Sequence, residues 1–182
     1  MKEYLNLGKR LFPICRSITG NGVRKTLMII RDYLPKLKIF EVKSGTKVFD
    51  WKVPPEWNVK NAYVKDKYGK KIIDFKNNNL HLVGYSIPTK KLITKKELFL
   101  HLHTIKQQPN AIPYVTSYYK KYWGFCVSHK DKEIFTKKYR NNKDLFEINI
   151  NSSSNKKGSL SYGELIIPGQ SKKEIFISTY IC

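Results

Sequence analysis

The last nine residues, Glu174–Cys182, constrain the fold of this chain more than any other segment. They are mostly apolar and rich in β-branched and aromatic side chains, which is typical of a β-strand. A strand this apolar belongs in a sheet that is covered on both faces, and such a sheet needs following helices that the sequence does not contain. We therefore expect the chain to be the front part of a longer protein. We also expect the isolated chain to self-associate through this uncovered strand.

The composition is that of a folded protein. The chain has 182 residues, of which 41% are hydrophobic and 13% are aromatic, enough to build a core. It contains no apolar run of about 18 residues and no secretory signal, so we expect no membrane partner and a cytoplasmic location. Its three cysteines, Cys15, Cys126 and Cys182, form no Cys-x-x-Cys pair, so we expect reduced thiols instead of a redox or zinc motif.

The charge of +21 at pH 7 raises the hypothesis of a nucleic-acid partner. One alternative is therefore a basic module that binds single-stranded nucleic acid, with bases stacking on Tyr118, Tyr119, Tyr122 and Trp123. Only five of the 35 basic residues are arginines, however, and arginine is the residue that reads bases bidentately. Lysine, asparagine and isoleucine share AT-rich codons, so we favour coding bias as the source of the charge. We expect no specific nucleic-acid partner.

The first 35 residues are predicted to be helical. Val23, Leu27, Ile30 and Leu34 form the apolar stripe of an amphipathic helix that Asn21 caps, and a shorter helix precedes it. The connection between them, residues 12–22, contains a proline and two glycines. It is either a tight turn or an anion-binding turn in which Arg16 takes part.

Residues 37 to 86 are predicted to be strands. Residues 37–43 and 46–53 suggest one hairpin, and residues 59–65 and 71–75 suggest a second hairpin. Trp51 and Trp57 flank a pair of prolines between these hairpins. They either pack a small β core or form a shelf that holds a ligand, so a protein- or carbohydrate-interaction module is a further alternative.

The rest of the chain combines two capped helices with strands. Thr94 begins a capping box whose helix should continue almost to Pro109, with His101 and His103 on different faces and so not a metal pair. Ser128 should cap a helix over residues 129–138, and His129 at its start either binds a substrate carboxylate or has no chemistry. Strands at 145–150, 160–167 and 174–182 should form a meander.

Several longer stretches resemble a known family, the bacterial zinc aminopeptidase-like proteins, often described as polysaccharide-biosynthesis proteins with an aminopeptidase-like domain. The stretches lie at residues 11–24, 48–57, 79–86, 112–114, 118–119, 123–126 and 163–182. The resemblance implies a co-catalytic zinc exopeptidase-like domain with a small β-rich insertion. It also implies that the family's first metal ligands, a His-Pro followed by an Asn-Asp, come after the position of Cys182. We expect a parent protein that binds two zinc ions and acts on a peptide or amide, whereas this chain contains no metal ligand, no cofactor and no catalytic residue.

The sequence thus predicts an α+β fragment of a zinc-dependent aminopeptidase-like hydrolase, inactive as this chain alone. Residues 1–39 should be the helical start of the peptidase-like domain, residues 40–130 an inserted antiparallel β module, and residues 131–182 the first helix and strands of an α/β zinc-exopeptidase-like sheet. The candidate substrate-binding residues are Arg16, Trp123 and His129.

Overall fold

The computed structural model describes residues 2–181, and within this range the chain forms four α-helices, one 3₁₀ helix and ten strands. The α-helices are α1 (Lys2–Leu11), α2 (Asn21–Tyr33), α3 (Lys95–Leu100) and α4 (His129–Lys138). The strands are β1 (Lys38–Lys43), β2 (Lys47–Val48), β3 (Trp51–Lys52), β4 (Glu56–Lys65), β5 (Lys71–Asp74), β6 (Thr89–Thr94), β7 (Leu102–His103), β8 (Phe125–Cys126), β9 (Leu145–Asn155) and β10 (Ser159–Glu164), and the 3₁₀ helix is Asn79–His81. The architecture is mixed, with small antiparallel sheets and one short parallel pair of strands, and it agrees with the predicted α+β class.

The chain divides into two compact units. The central unit is Asn58–Ser154, and the flanking unit joins the described residues up to Trp57 to those from Asn155 onward. These limits differ from the expected domain boundaries after residues 39 and 130, and those boundaries stay a prediction.

In the flanking unit, β1 pairs with β10. The antiparallel register runs from Lys38 opposite Glu164 to Lys43 opposite Ser159. The predicted hairpin between residues 37–43 and 46–53 is therefore wrong, because β1 uses a partner more than a hundred residues away. Residues 46–53 instead form the two-residue pair of β2 and β3. A local glycine turn predicts a reversal of the chain, but the available ladder partners decide which strands pair.

Helix α2 confirms the first part of the predicted amphipathic stripe, because Val23 and Leu27 are 2% and 3% exposed and Ile30 is half-buried. The last member, Leu34, is 42% exposed and lies outside the helix, which ends at Tyr33. The predicted cap at Asn21 is wrong. Gly20 occupies that position with a φ of 97°, a backbone conformation that favours glycine, and Asn21 is the first helical residue.

The sheet of the central unit has the strand order β5-β4-β9-β6. The predicted hairpin of β4 and β5 is confirmed, with Val64 opposite Ile73. The alternation predicted in β9 is also confirmed, because Phe146, Ile148 and Ile150 are at most 2% exposed. A strand with period two places these three side chains on one face, where they form the core of the sheet.

The predicted caps of α3 and α4 are both confirmed. The side chain of Thr94 accepts a hydrogen bond from the backbone of Glu97, and that of Ser128 accepts one from the backbone of Asp131. Helix α3 is shorter than predicted, however, since it ends at Leu100. The next residues leave the helix because β7 pairs in parallel with β8, so His101 and His103 do not lie on the helix.

The predicted strand at Glu174–Cys182 is not formed by the part of it that the structure describes. Residues 174–181 have no regular secondary structure, and Ile175, Phe176 and Tyr180 are about nine-tenths exposed, whereas Cys182 lies outside the described residues. A strand needs a neighbour to complete its backbone hydrogen bonds, and no described segment pairs with this one. The predicted meander is also wrong, because β9 pairs with β4 and β6 while β10 pairs with β1.

Candidate functional site

Trp123, a predicted substrate-binding residue, lies in an aromatic cluster of the central unit. Its ring stacks on His101 with the ring centroids 3.8 Å apart, and the ammonium of Lys91 lies 4.8 Å from the centroid of the indole. The Nδ1–H of His101 donates to the backbone carbonyl of Trp123 at 2.8 Å. Since Trp123 is only 7% exposed, its ring is a packing element with little surface left for a ligand.

His103 and Tyr122 extend this cluster. A hydrogen bond of 2.8 Å joins His103 Nε2 to the hydroxyl of Tyr122. Burial chiefly lowers the pKa of His103, and the positive charges of His101 and Lys132 lower it further. Burial also raises the pKa of Tyr122. A neutral imidazole and a neutral phenol are therefore the stable forms of this pair at neutral pH.

His129, another predicted substrate-binding residue, lies at the start of a helix. His129 is the first residue of α4, its Nδ1 lies 3.1 Å from the hydroxyl of Thr104, and its Nε2 lies 3.9 Å from a carboxylate oxygen of Glu133. Its imidazole thus has partners from its own helix and from the residue after β7. Its predicted role in binding a substrate carboxylate stays a prediction.

Arg16 belongs to the flanking unit, so the structure divides the three predicted site residues between the two units. Its guanidinium donates to the carbonyl of Leu11, at the end of α1. This contact favours the tight-turn interpretation of residues 12–22, since it satisfies a helix-terminal carbonyl. Close packing in the same turn requires Gly22, because a Cβ there would overlap the backbone carbonyl of Cys15.

Sequence reasoning missed a polar network in the flanking unit. The guanidinium of Arg24 in α2 forms a bidentate pair with Glu56, whose Oε1 is 2.8 Å away, and it also reaches Glu41 of β1 at 3.1 Å. The hydroxyl groups of Ser159 and Ser161 in β10 donate to Glu41. The hydrogen bonds to Glu56 chiefly raise the pKa of Arg24 and keep it charged.

A signal for this network was present in the composition. In a chain with so few arginines, an arginine marks a place where a planar fork with several donors is needed and lysine does not suffice. The sequence did not indicate the partners, because Glu56 and Ser159 lie 32 and 135 residues from Arg24.

Among the described residues, Cys15 and Cys126 are not activated thiols, and the side chains that could bind a metal ion do not cluster. Burial raises the pKa of Cys126 to about 12 and that of Cys15 to about 11, so both thiols are protonated at neutral pH. Within residues 2–181, no group of three or more His, Cys, Asp or Glu side chains is arranged to hold a metal ion. These residues therefore do not fit a zinc pair.

The aromatic residues behind the two alternative functions have mixed environments. Trp51 is 38% exposed but Trp57 is 5% exposed, so the two tryptophans do not form a shared shelf. Tyr119 is 65% exposed while Trp123 is buried, so the proposed stacking set is not a continuous surface. Among the described residues, no helix is long and apolar enough to cross a membrane.

This chain is similar to known proteins, in two cases over most of its length. A family model described as "Domain of unknown function (DUF2172)" matches residues 56–153. A "Putative polysaccharide biosynthesis protein with aminopeptidase-like domain" from Clostridium acetobutylicum is 54% identical over 181 residues, which is 99% of this chain and 40% of the relative. The crystal structure of a "putative peptidase" from Clostridium acetobutylicum superposes with a TM-score of 0.80 at 54% identity, over 89% of this chain and 36% of that chain. This chain thus spans about 40% of the length of its curated relative.

Proposed function

Because this chain belongs to the DUF2172 family, and its relative of known sequence carries an aminopeptidase-like domain, we propose that it is the N-terminal portion of a zinc-dependent aminopeptidase-like hydrolase. The observation that carries this proposal is the identity of 54% over 99% of the chain. Identity at this level, together with the TM-score of 0.80, supports a common architecture for this portion of both proteins.

In this proposal the chain has a structural role. Its final residues, 174–182, become the first strand of a zinc-exopeptidase-like sheet once a longer polypeptide supplies neighbouring strands and covering helices. The exposed apolar side chains of Ile175, Phe176, Ile177 and Tyr180 support this role, because strands inside an α/β sheet are buried on both faces. We propose a cytoplasmic protein that acts on a peptide or a related amide, with polysaccharide metabolism as its setting.

The proposed two zinc ions require ligands from outside this chain. Because the described residues contain no suitable cluster, the His, Asp and Glu ligands must come from the rest of the longer protein. Bound zinc would supply an activated water and polarise the carbonyl of the substrate. For this chain alone we expect no hydrolysis.

A chimera tests the proposal. The matched segment of the Clostridium acetobutylicum relative is replaced by this chain, and the chimera is assayed with amino-acid p-nitroanilides in the presence of zinc. We expect release of p-nitroaniline by the chimera and by the intact relative, loss of that activity with a chelator, and no activity from this chain alone.

One control variant and two refuting outcomes make the result decisive. A variant of the chimera with Gly22→Ala, which disturbs the turn after α1, shows how far a folding defect alone lowers the hydrolytic activity. A folded chimera that releases nothing while the intact relative is active would show that this chain is not equivalent to the matched segment. Zinc-dependent hydrolysis by this chain alone would show that it contains its own metal site.

A further inference from the structure

Two lysines of the central unit converge on one aromatic ring. The ammonium of Lys95 lies 5.4 Å from the centroid of Phe99, and that of Lys132 lies 5.7 Å from the same centroid. Lys95 and Phe99 are four residues apart on α3 and so share a face of that helix, whereas Lys132 comes from α4. Two helices thus bring two positive charges to one ring.

Lys95 is buried but has no acidic partner, which is unusual for a lysine. The residue is 8% exposed, yet among the described residues no carboxylate oxygen lies within 4.0 Å of its ammonium or of the ammonium of Lys132. Other lysines of this unit do meet carboxylates. The pairs are Lys65 with Glu147, Lys67 with Asp144, Lys71 with Asp74, Lys91 with Glu97 and Lys138 with Asp66. A buried lysine is ordinarily paired, so the charge at Lys95 lacks its usual counterion.

The acidic groups near this place are already engaged. The carboxylate of Asp131 on α4 accepts a hydrogen bond from the hydroxyl of Ser128 at the start of the helix, and Glu133 lies beside His129. His103, which faces the same region, has its pKa lowered in part by the charge of Lys132. The local field is therefore positive, and a ligand that enters it must be an anion.

We propose that Lys95, Phe99 and Lys132 form a binding site for a phosphate group, either free or carried on a larger ligand. Both ammonium groups lie within 5.7 Å of one ring centroid, and they act as point charges without a planar fork, so a compact and multiply charged anion is the ligand that suits them. The ring of Phe99 lies beside both charges, and an apolar neighbour lowers the local polarity, which strengthens the attraction between the ammonium groups and an anion. This site does not depend on the proposed hydrolase activity.

Phosphate titration of the full chain, followed by NMR, tests the site. Inorganic phosphate is added at pH 7 with the ionic strength held constant by chloride, and the ring signals of Phe99 and the side-chain signals of Lys95 and Lys132 are recorded. We expect saturable shifts in these signals. We also expect the pKa of His103 to rise in phosphate, because the bound anion offsets the charge of Lys132.

Matched variants separate the site from general attraction to a basic protein. Lys95→Met and Lys132→Met should each weaken binding at least about tenfold, the loss expected for one charge-assisted hydrogen bond. Lys96→Met and Lys137→Met change exposed lysines on the same two helices and should leave binding unchanged. If Lys95→Met does not fold, Lys132→Met decides the question.

The outcome also distinguishes the source of the phosphate. Tighter binding of methyl phosphate than of inorganic phosphate indicates a group carried on a larger ligand, and the reverse indicates the free ion; either result supports the site. Shifts that stay linear up to about 20 mM phosphate, or equal weakening by the control variants, overturn the proposal.

Discussion

Removing the carboxylate of Asp66 should destabilise the central unit more than any other single change to an acidic side chain. Asp66 is 4% exposed and lies at the turn between β4 and β5. Its Oδ1 accepts hydrogen bonds from the backbone of Tyr68 and Lys70, both at 3.0 Å, and its Oδ2 accepts one from the hydroxyl of Tyr139 at 2.8 Å. The carboxylate therefore joins the hairpin turn to the end of α4.

The expected magnitude follows from these partners. Tyr139→Phe removes one charge-assisted hydrogen bond but leaves the two from the backbone, so we expect a loss of about 1.5 to 2 kcal/mol in the free energy of unfolding. Asp66→Ala also leaves the buried Tyr139 hydroxyl and the turn amides without their acceptor, which should cost about 3 to 4 kcal/mol. The double variant should cost about 1 to 2 kcal/mol less than the sum of the single variants.

Hydrogen exchange at increasing urea concentration, read by mass spectrometry on peptides from residues 58–154, measures these losses in the relevant unit. Glu133→Ala, which removes a carboxylate from an exposed position on α4, is the control and should change stability by less than about 0.5 kcal/mol. If Asp66→Ala costs no more than this control, or if the two single losses simply add, the buried hydrogen bond does not stabilise the unit and the reasoning fails.

The same carboxylate predicts a pH dependence. Burial alone would raise the pKa of Asp66, but the hydrogen bonds from Tyr139 and from the backbone of Lys70 and Tyr68 outweigh it, and the native pKa is lowered. The native state then binds this proton less readily than the unfolded state does. Its contribution to stability is present above a pH of about 4 and is lost as the pH falls through the native pKa. Asp66→Ala should lack this loss in acid unfolding.

Three further outcomes are expected. Gly22→Ala should lower the free energy of unfolding of the flanking unit by about 1 to 3 kcal/mol, because its Cβ meets the carbonyl of Cys15. Gly8→Ala, in open space on α1, should raise this free energy by about 0.5 to 1 kcal/mol. Denaturant titrations measure both changes, and equal effects would contradict the packing argument. NMR titration should give His103 a pKa below 6.5, since burial and nearby positive charges disfavour its proton, and a value above 6.5 would exclude that environment. Cys126 and Cys15 should resist iodoacetamide at pH 8 in the folded chain and react in urea, and mass spectrometry that finds Cys126 alkylated in folded protein would contradict its burial.

The predictions that succeeded rest on hydrogen bonds between residues close in sequence. Ser128 caps α4 through a backbone amide three residues away, and the turn at residues 66–70 fixes the β4–β5 hairpin. The alternation in β9 was also visible, because each buried side chain is two residues from the next. Such signals are complete within a short window, so the sequence alone supports them.

The predictions that failed concern partners that are distant in sequence. Nothing near Leu100 shows that Leu102 and His103 pair with Phe125 and Cys126, and so the length of α3 was overestimated. The stacking of His101 on Trp123 and the convergence of Lys95 and Lys132 could not be predicted for the same reason. Residue types identified these side chains as chemically interesting, but only the fold determines which of them meet.

The pairing of β1 with β10 has a consequence for synthesis of the chain. Glu41 and Ser159 are 118 positions apart, so at ordinary rates of translation roughly ten seconds pass between the emergence of the two strands from the ribosome. Residues 58–154 are all made in that interval and can fold first. During it β1 has no strand to pair with, so the flanking unit can complete its sheet only after β10 has been made.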